Sequence, residues 1–165
     1  MDSGNSEAVQ DLPVKARGNR KRLNPVRRRT VFVTNYADSI ATLDWIHRNT
    51  FPSDVIPDWG NGSWWLMKDG TRTIAFIGAE PVKSWPKAMY LSRVGVVSDY
   101  RGKGIQKYLM QKVERAAREA GFTHIISSTL DNPPSANNFI KCGYKTYMPA
   151  GPWGYAGTVY WTKEL

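Results

Sequence analysis

The chain is poor in sulfur and imidazole: its 165 residues hold one cysteine, Cys142, and two histidines, His47 and His124. A single thiol excludes an internal disulfide and a cysteine-rich zinc site. No carboxylate stands at ligand spacing from either histidine, so no metal is expected. No apolar run reaches the length needed to span a bilayer, and the first residues lack the apolar core of a secretory leader. These absences point to a soluble, cytoplasmic chain with no membrane partner. Acids are also scarce, 14 Asp and Glu against 23 Lys and Arg, a net charge of +9. There is no internal repeat and no low-complexity tract. What remains is ordinary globular composition, 41% hydrophobic and 22% charged, in a length that suits one domain with a sizeable core.

The positive charge is concentrated at one end. Residues 1–29 carry eight Lys or Arg against three acids, a surplus of five, with no aromatic residue and no hydrophobic period. Such a segment reads as a poorly ordered tail. Its electrostatics suit nucleic acid or another polyanion, or a solvated tail with no dedicated partner. The folded domain is expected over residues 30–165.

Within that span strands and helices alternate. Thr30–Tyr36 is β-branched and reads as a strand. Ser39 is placed to cap a helix carrying Ile40, Leu43, Trp45 and Ile46. Phe51–Trp59 holds two prolines and reads as a loop. Two strands, 63–68 and 71–77, flank the hairpin signal Asp69-Gly70. A central strand is expected over 88–97. The following helix keeps Ile105, Tyr108, Leu109, Val113, Ala116, Ala117 and Ala120 on one face and ends at Gly121. A strand over 124–130, a short helix over 135–142 and two closing strands, 144–147 and 157–163, complete the chain. The crossover helix makes the strands at 88–97 and 124–130 parallel. The fold class is therefore α/β, a mixed, mostly antiparallel sheet with one parallel pair in its middle.

The most informative stretch runs from Leu91 to Met110. The apolar run Val94, Val96, Val97 stops at Ser98-Asp99, a tight Arg101-Gly-Lys-Gly104 turn follows, and the amphipathic helix begins. A strand ending in a glycine turn against a helix N-terminus presents unpaired N–H groups and a positive dipole end, an anion cradle suited to phosphates. The plain alternative is a strand-to-helix connection. The segment resembles the coenzyme-A-binding signature of the GNAT superfamily of N-acetyltransferases, Arg/Gln-x-x-Gly-x-Gly/Ala, with Arg101 and Gly104 on its positions and Gln106 where the family has Gly or Ala. Asn132-Pro-Pro-Ser-Ala-Asn-Asn-Phe-Ile-Lys-Cys-Gly-Tyr144 is similar to the family's later motif, through Asn132, Ser135, Phe139, Gly143 and Tyr144. The resemblance covers residues 30–165. It implies acetyl-CoA as co-substrate, held by Val96, Val97, Arg101, Gly102, Lys103, Gly104, Ile105, Gln106, Asn132, Ser135 and Phe139. It implies a splayed parallel pair that admits the pantetheine arm, which Asn132 would hydrogen-bond, and helices on both faces of the sheet. It also implies transfer of the acetyl group to an amine by direct attack on the thioester.

The acid and base are less defined. An alkylamine is mostly protonated near neutrality, so a base or water chain is needed, and the oxyanion needs a preorganised donor. The resemblance gives the donor to a backbone N–H around Val96-Val97. Many relatives place a tyrosine acid where Phe139 stands here, and a phenyl ring cannot donate a proton. Ser135, Tyr144 or Tyr147 can supply a hydroxyl instead, water can protonate the thiolate, or the domain binds the cofactor without turnover. Strand alternation puts Tyr90, Ser92, Val94 and Val96 on one face, with Ser92 a candidate for ordering a water. Ser92 and Tyr144 are thus the catalytic candidates. His47 reads as half-exposed structure, His124 as structural at the strand end away from the cleft, and Cys142 as a packed residue.

The acceptor is an unidentified amine. Phe51, Trp59, Trp153 and Tyr155, with Asp54 and Asp58, offer an aromatic wall with carboxylates that suits a cation, or simply core packing. Leu91–Val96, Pro152-Trp-Gly154 and Tyr160–Lys163 also resemble small GNAT proteins of bacteriophages, which implies a phage or bacterial source and a place in host cytoplasm or virion. Two further functions stay open: a nucleic-acid-directed modifier or binder using residues 1–29, and a non-catalytic virion or complex component.

Overall fold

In a computed structural model, residues 29–34 and 36–165 are described. The basic segment 1–28, and with it the expected polyanion site, lies outside the described residues. Arg29, the last residue of the expected tail 1–29, is described and tucked in, its side chain 6% exposed, with Nε 3.4 Å from Asp69 and the guanidinium over the Tyr100 ring.

The chain forms β1 (Thr30–Thr34), α1 (Tyr36–Thr50), β2 (Ser63–Asp69), β3 (Arg72–Pro81), β4 (Ala88–Val96), α2 (Ile105–Glu119), β5 (His124–Thr129), α3 (Pro133–Lys141), β6 (Lys145–Thr146) and β7 (Val159–Glu164). The strands make one seven-stranded sheet in the order β1-β2-β3-β4-β5-β7-β6, antiparallel except for β4 and β5. The mixed α/β sheet with its central parallel pair is as the alternation of elements implies. Local expectations shift by a residue or two. α1 begins at Tyr36, so Ser39 sits inside the helix, where it meets the Thr34 hydroxyl. The hairpin turn is Gly70-Thr71, because Asp69 pairs with Arg72.

The core lies on both faces of the sheet. On one, Phe76 of β3 meets His47 and Phe51 at the end of α1, and Trp59 and Trp64 close the cluster with ring centroids 4.6 Å apart. A fully buried phenylalanine such as Phe76 contributes about 1.5–3 kcal/mol. On the other, α2 buries Ile105, Leu109, Met110, Val113 and Ala117. Ala120, expected in that stripe, is exposed, and Glu114 is buried instead. The reason is across the sheet: Lys163 of β7 reaches Glu114 at 2.6 Å. His47 is fully buried rather than half-exposed, because Phe51, Trp59 and Phe76 surround it. Burial and the nearby Arg93 hold its imidazole below the ordinary 6.5.

The functional gap comes from β4. Its pairing with β5 covers only Ala88–Tyr90 against His124–Ile126, after which the strands part. Gly78 pairs with Arg93 and Ala79 with Leu91, leaving Ser92 as an extra residue, a β-bulge. The bulge overturns the simple alternation: Tyr90 shares its face with Arg93 and Gly95, while Val94 and Val96 share theirs with Leu91. Where the ladder fails, side chains take over. The Ser127 hydroxyl donates to Leu91 O at 2.8 Å, and the Tyr90 and Ser128 hydroxyls lie 3.1 Å apart.

Candidate active site

Two cavities meet in this gap. The larger, about 740 Å³, lies between the turn after β4, the N-terminus of α2 and α3. The smaller, about 220 Å³, opens toward Phe51, Asp54 and Arg93 on the α1 side. Phe51, Val94, Asn132 and Ser135 line both.

The sequence-predicted cradle is gathered at the larger cavity. Val96, Arg101, Gly102, Gly104, Ile105, Gln106, Asn132 and Ser135 all line it. Gly102 and Gly104 have φ of +72° and +75°, the left-handed region that side chains disfavour, and a Cβ at either would point into open space. That is where a ligand can approach the main chain. The first turn of α2 leaves the N–H groups of Ile105, Gln106 and Lys107 without intrahelical partners. Arg101 is latched by its Nε to Val96 O at 3.0 Å. Lys107 and Lys141 add charge to the lining.

Three expected contributors stand apart from the larger cavity: Val97, Lys103 and Phe139, the last of which lines the smaller one. The Val97 N–H donates to Ile74 O at 3.0 Å, so it belongs to the sheet. Alternate residues of an antiparallel strand point away from the ladder, so Val96 rather than Val97 offers its N–H to the gap. Lys103 turns back, with Nζ 2.8 Å from Asp99 O and 4.7 Å from the Tyr100 ring centroid. The Arg101 N–H is given to Ser98 O, so the free row starts further along.

Gln106, the departure from the family pattern, ties the two motifs together. Its Nε2 donates to Ser135 Oγ and its Oε1 accepts from Asn138 Nδ2, both at 2.9 Å. Asn132 caps α3 through its side-chain oxygen, which accepts from Ser135 N at 3.1 Å. Its amide nitrogen is the group left to face a ligand. Asn138, Asn137 and Lys141 escaped the sequence reading, although their i, i+3 and i, i+4 spacing on one helix face is the signal that would have found them.

The catalytic candidates part company. Ser92 lines the smaller cavity and donates to Gly78 O at 3.3 Å. Tyr144 does not reach either cavity. It is 4% exposed, packed edge-on behind Phe139, and burial with the adjacent Glu114 carboxylate pushes its hydroxyl far above the ordinary tyrosine range. Phe139 lines the smaller cavity and stacks on Trp161 with centroids 5.5 Å apart.

The expected acceptor wall also divides. Trp59 is buried and donates to Asp44 at 2.7 Å, and Asp58 caps the short turn that follows it. Asp54 pairs with Arg93 at 2.7 Å beside Phe51. The His124 ring lies tilted against Trp85, 4.6 Å between centroids, at the far end of β5. Cys142 is buried, which raises its thiol. Among the described residues no group of three or more His, Cys, Asp or Glu gathers, and no helix is long and apolar enough to cross a membrane.

A glycine-turn cradle beside a splayed parallel pair defines the class, and comparison with known proteins agrees. The acetyltransferase (GNAT) family model matches residues 34–144. The chain belongs to that family. It is 36% identical to N-acetyltransferase 8F1 of Rattus norvegicus over 72 residues, 42% of this chain and 33% of that protein. With N-acetyltransferase 8B of Rattus norvegicus it shares 35% over 109 residues, 62% of this chain and 49% of that protein. The chain thus spans between a third and a half of these relatives. Its fold is that of the IAA acetyltransferase from Bacillus cereus, with TM-score 0.68 at 18% identity over 83% of this chain and 99% of that one. An acetyltransferase from Bacillus subtilis, solved in complex with CoA, superposes with TM-score 0.66 at 16% identity over 83% and 99%.

Proposed function

We propose that the protein is an acetyl-CoA-dependent N-acetyltransferase that passes the acetyl group directly to an amine. The observation that carries this is the larger cavity, a main-chain cradle opening on the β4–β5 gap. Its donors and cations fit a pyrophosphate. The Asn132 amide nitrogen and the Val96 N–H fit a pantetheine arm entering between the strands. When bound, acetyl-CoA supplies the activated thioester carbon.

The chain's own groups do the rest. The α2–α3 side holds the cofactor, so the amine arrives from the α1 side, past Phe51 and the Asp54–Arg93 pair. Its lone pair attacks the carbonyl carbon as the C–S bond breaks, and the proton lost from nitrogen ends on the departing sulfur. Main-chain N–H groups of β4 that face the gap stabilise the oxyanion. Ser92, fixed at the bulge, orders the water that carries the proton. Phe139 offers no proton, so water returns it to the thiolate.

Calorimetry with acetyl-CoA tests this, on wild type beside Gly104→Trp. Wild type binds, and the variant loses at least about 100-fold, since the indole fills the cradle and a side chain is strained at φ +75°. A well-folded wild type with no affinity for acetyl-CoA would sink the reading.

A further inference from the structure

Beside the polar-lined smaller cavity on the α1 side, large apolar side chains stand exposed. Leu130, which lines the smaller cavity, is 41% exposed, Trp153 is 46% exposed and Tyr155 84%. Single exposed hydrophobics are common, but a contiguous group at a cavity mouth marks a contact site. The group is held in place. The Trp153 ring lies edge-on to Tyr90 at 5.8 Å and against Tyr160 at 4.6 Å. Gly154 N–H donates to the Tyr160 hydroxyl at 2.8 Å, and Thr158 N–H to Tyr155 O at 3.1 Å. Gly157 brings the far end of this loop against Leu130.

The patch is continuous with the reaction gap. Tyr90 carries Trp153 on its ring and touches Ser128 with its hydroxyl, and Ser128 lines the cavity. Charge recognition is weak at this mouth. The Asp54 carboxylate and the Arg93 guanidinium are spent on each other at 2.7 Å, with the second Arg93 nitrogen on Val55 O at 3.3 Å. Glu80, opposite Tyr90 in register, lies on β3, one strand further from the cavity. An acceptor approaching here gains from hydrophobic contact more than from ion pairing.

We infer that the acceptor is a primary amine carried on an apolar body about the size of an aromatic ring, which lies on Trp153 and Leu130 while the nitrogen enters beside Ser92 and Ser128. This rests on the acetyl-transfer reading above. The N–C bond forms, the C–S bond breaks, the proton leaves for sulfur, and the body is unchanged. A pre-positioned Trp gives a large rigid contact, and covering one ring changes discrimination by about 10- to 100-fold.

The test uses the full chain with acetyl-CoA and three probes, phenethylamine, ethylamine and spermidine, followed by thiol release. In parallel, calorimetry measures phenethylamine and ethylamine on the CoA-saturated protein. Phenethylamine is expected to exceed ethylamine in kcat/KM by at least about tenfold. Trp153→Ala brings that ratio close to one, and Trp153→Phe keeps most of it. A preference for spermidine or ethylamine, or an equal loss on all three amines in Trp153→Ala, overturns the inference while acetyl transfer stands. If acetyl-CoA binds but no probe releases thiol, the calorimetric ratio decides by the same tenfold criterion. Failure of acetyl-CoA to bind removes the underlying reading and this inference with it.

Discussion

On the α2–α3 side the gap offers main chain at its centre, left-handed glycines, a helix N-terminus and a strand N–H, with Arg101, Lys107 and Lys141 around it. On the α1 side it is made of side chains, with Phe51, Arg93 and Asp54 at one edge and Ser128 and Leu130 at the other, where Ser128 meets Tyr90 and Tyr90 meets Trp153. The first side can recognise one ligand chemistry, because backbone donors vary little with sequence. The second can be re-lined residue by residue without disturbing the sheet. A family can therefore share a cofactor and differ in acceptor, and the division runs along β4.

Substitutions on the two sides should separate accordingly. Arg101→Ala removes both a cation from the lining and the latch to Val96 O. It should weaken acetyl-CoA by about tenfold at low salt and by less as salt is raised, read by calorimetry at two ionic strengths. An affinity loss independent of salt would assign Arg101 a purely structural part. Gln106→Ala breaks two hydrogen bonds at the seam between α2 and α3. KM for acetyl-CoA should rise about fivefold with kcat little changed. A fall in kcat with KM constant would move Gln106 from holding the cofactor to acting on the reaction.

On the α1 side, His47 makes a pH-dependent contribution. Its folded pKa lies below the ordinary 6.5, through burial first and Arg93 second. Folding therefore favours the neutral ring, and the stability this brings is present above about pH 6.5 and lost as pH falls toward the folded value. Thermal melts from pH 7.5 to 5 should fall less steeply in His47→Phe, whose ring suits the surrounding aromatics. Parallel slopes would mean that another group sets the acid limb. The smallest effect is expected at Tyr144→Phe. The hydroxyl is buried toward Glu114 and reaches neither cavity, so turnover should change by less than about twofold. A larger loss of kcat would return Tyr144 to the reaction.

The glycine turn and the later Asn-to-Tyr motif were legible because main-chain sites leave local marks: Gly where φ is positive, a short polar residue where a helix begins. The central strand and its helix were legible for the same reason, through apolar periodicity. Ser92 could be named but not placed, since a bulge depends on how β3 runs beside it. Tyr144 closes the second motif and yet faces Glu114, because the short α3 turns its far end into the core. Trp59 and Trp153 looked alike as loop aromatics, but one fills the core and the other stands at the cleft.

The sequence alone determined the order of elements, the parallel crossover and the glycine turn before α2, all of which follow from short-range periodicity, turn chemistry and helix termini. Tertiary structure alone decided where β4 and β5 part, which of Val96 and Val97 faces the gap, how Gln106 joins α2 to α3, and which aromatic residues remain exposed. Those outcomes depend on contacts between residues tens of positions apart, and no local pattern encodes them.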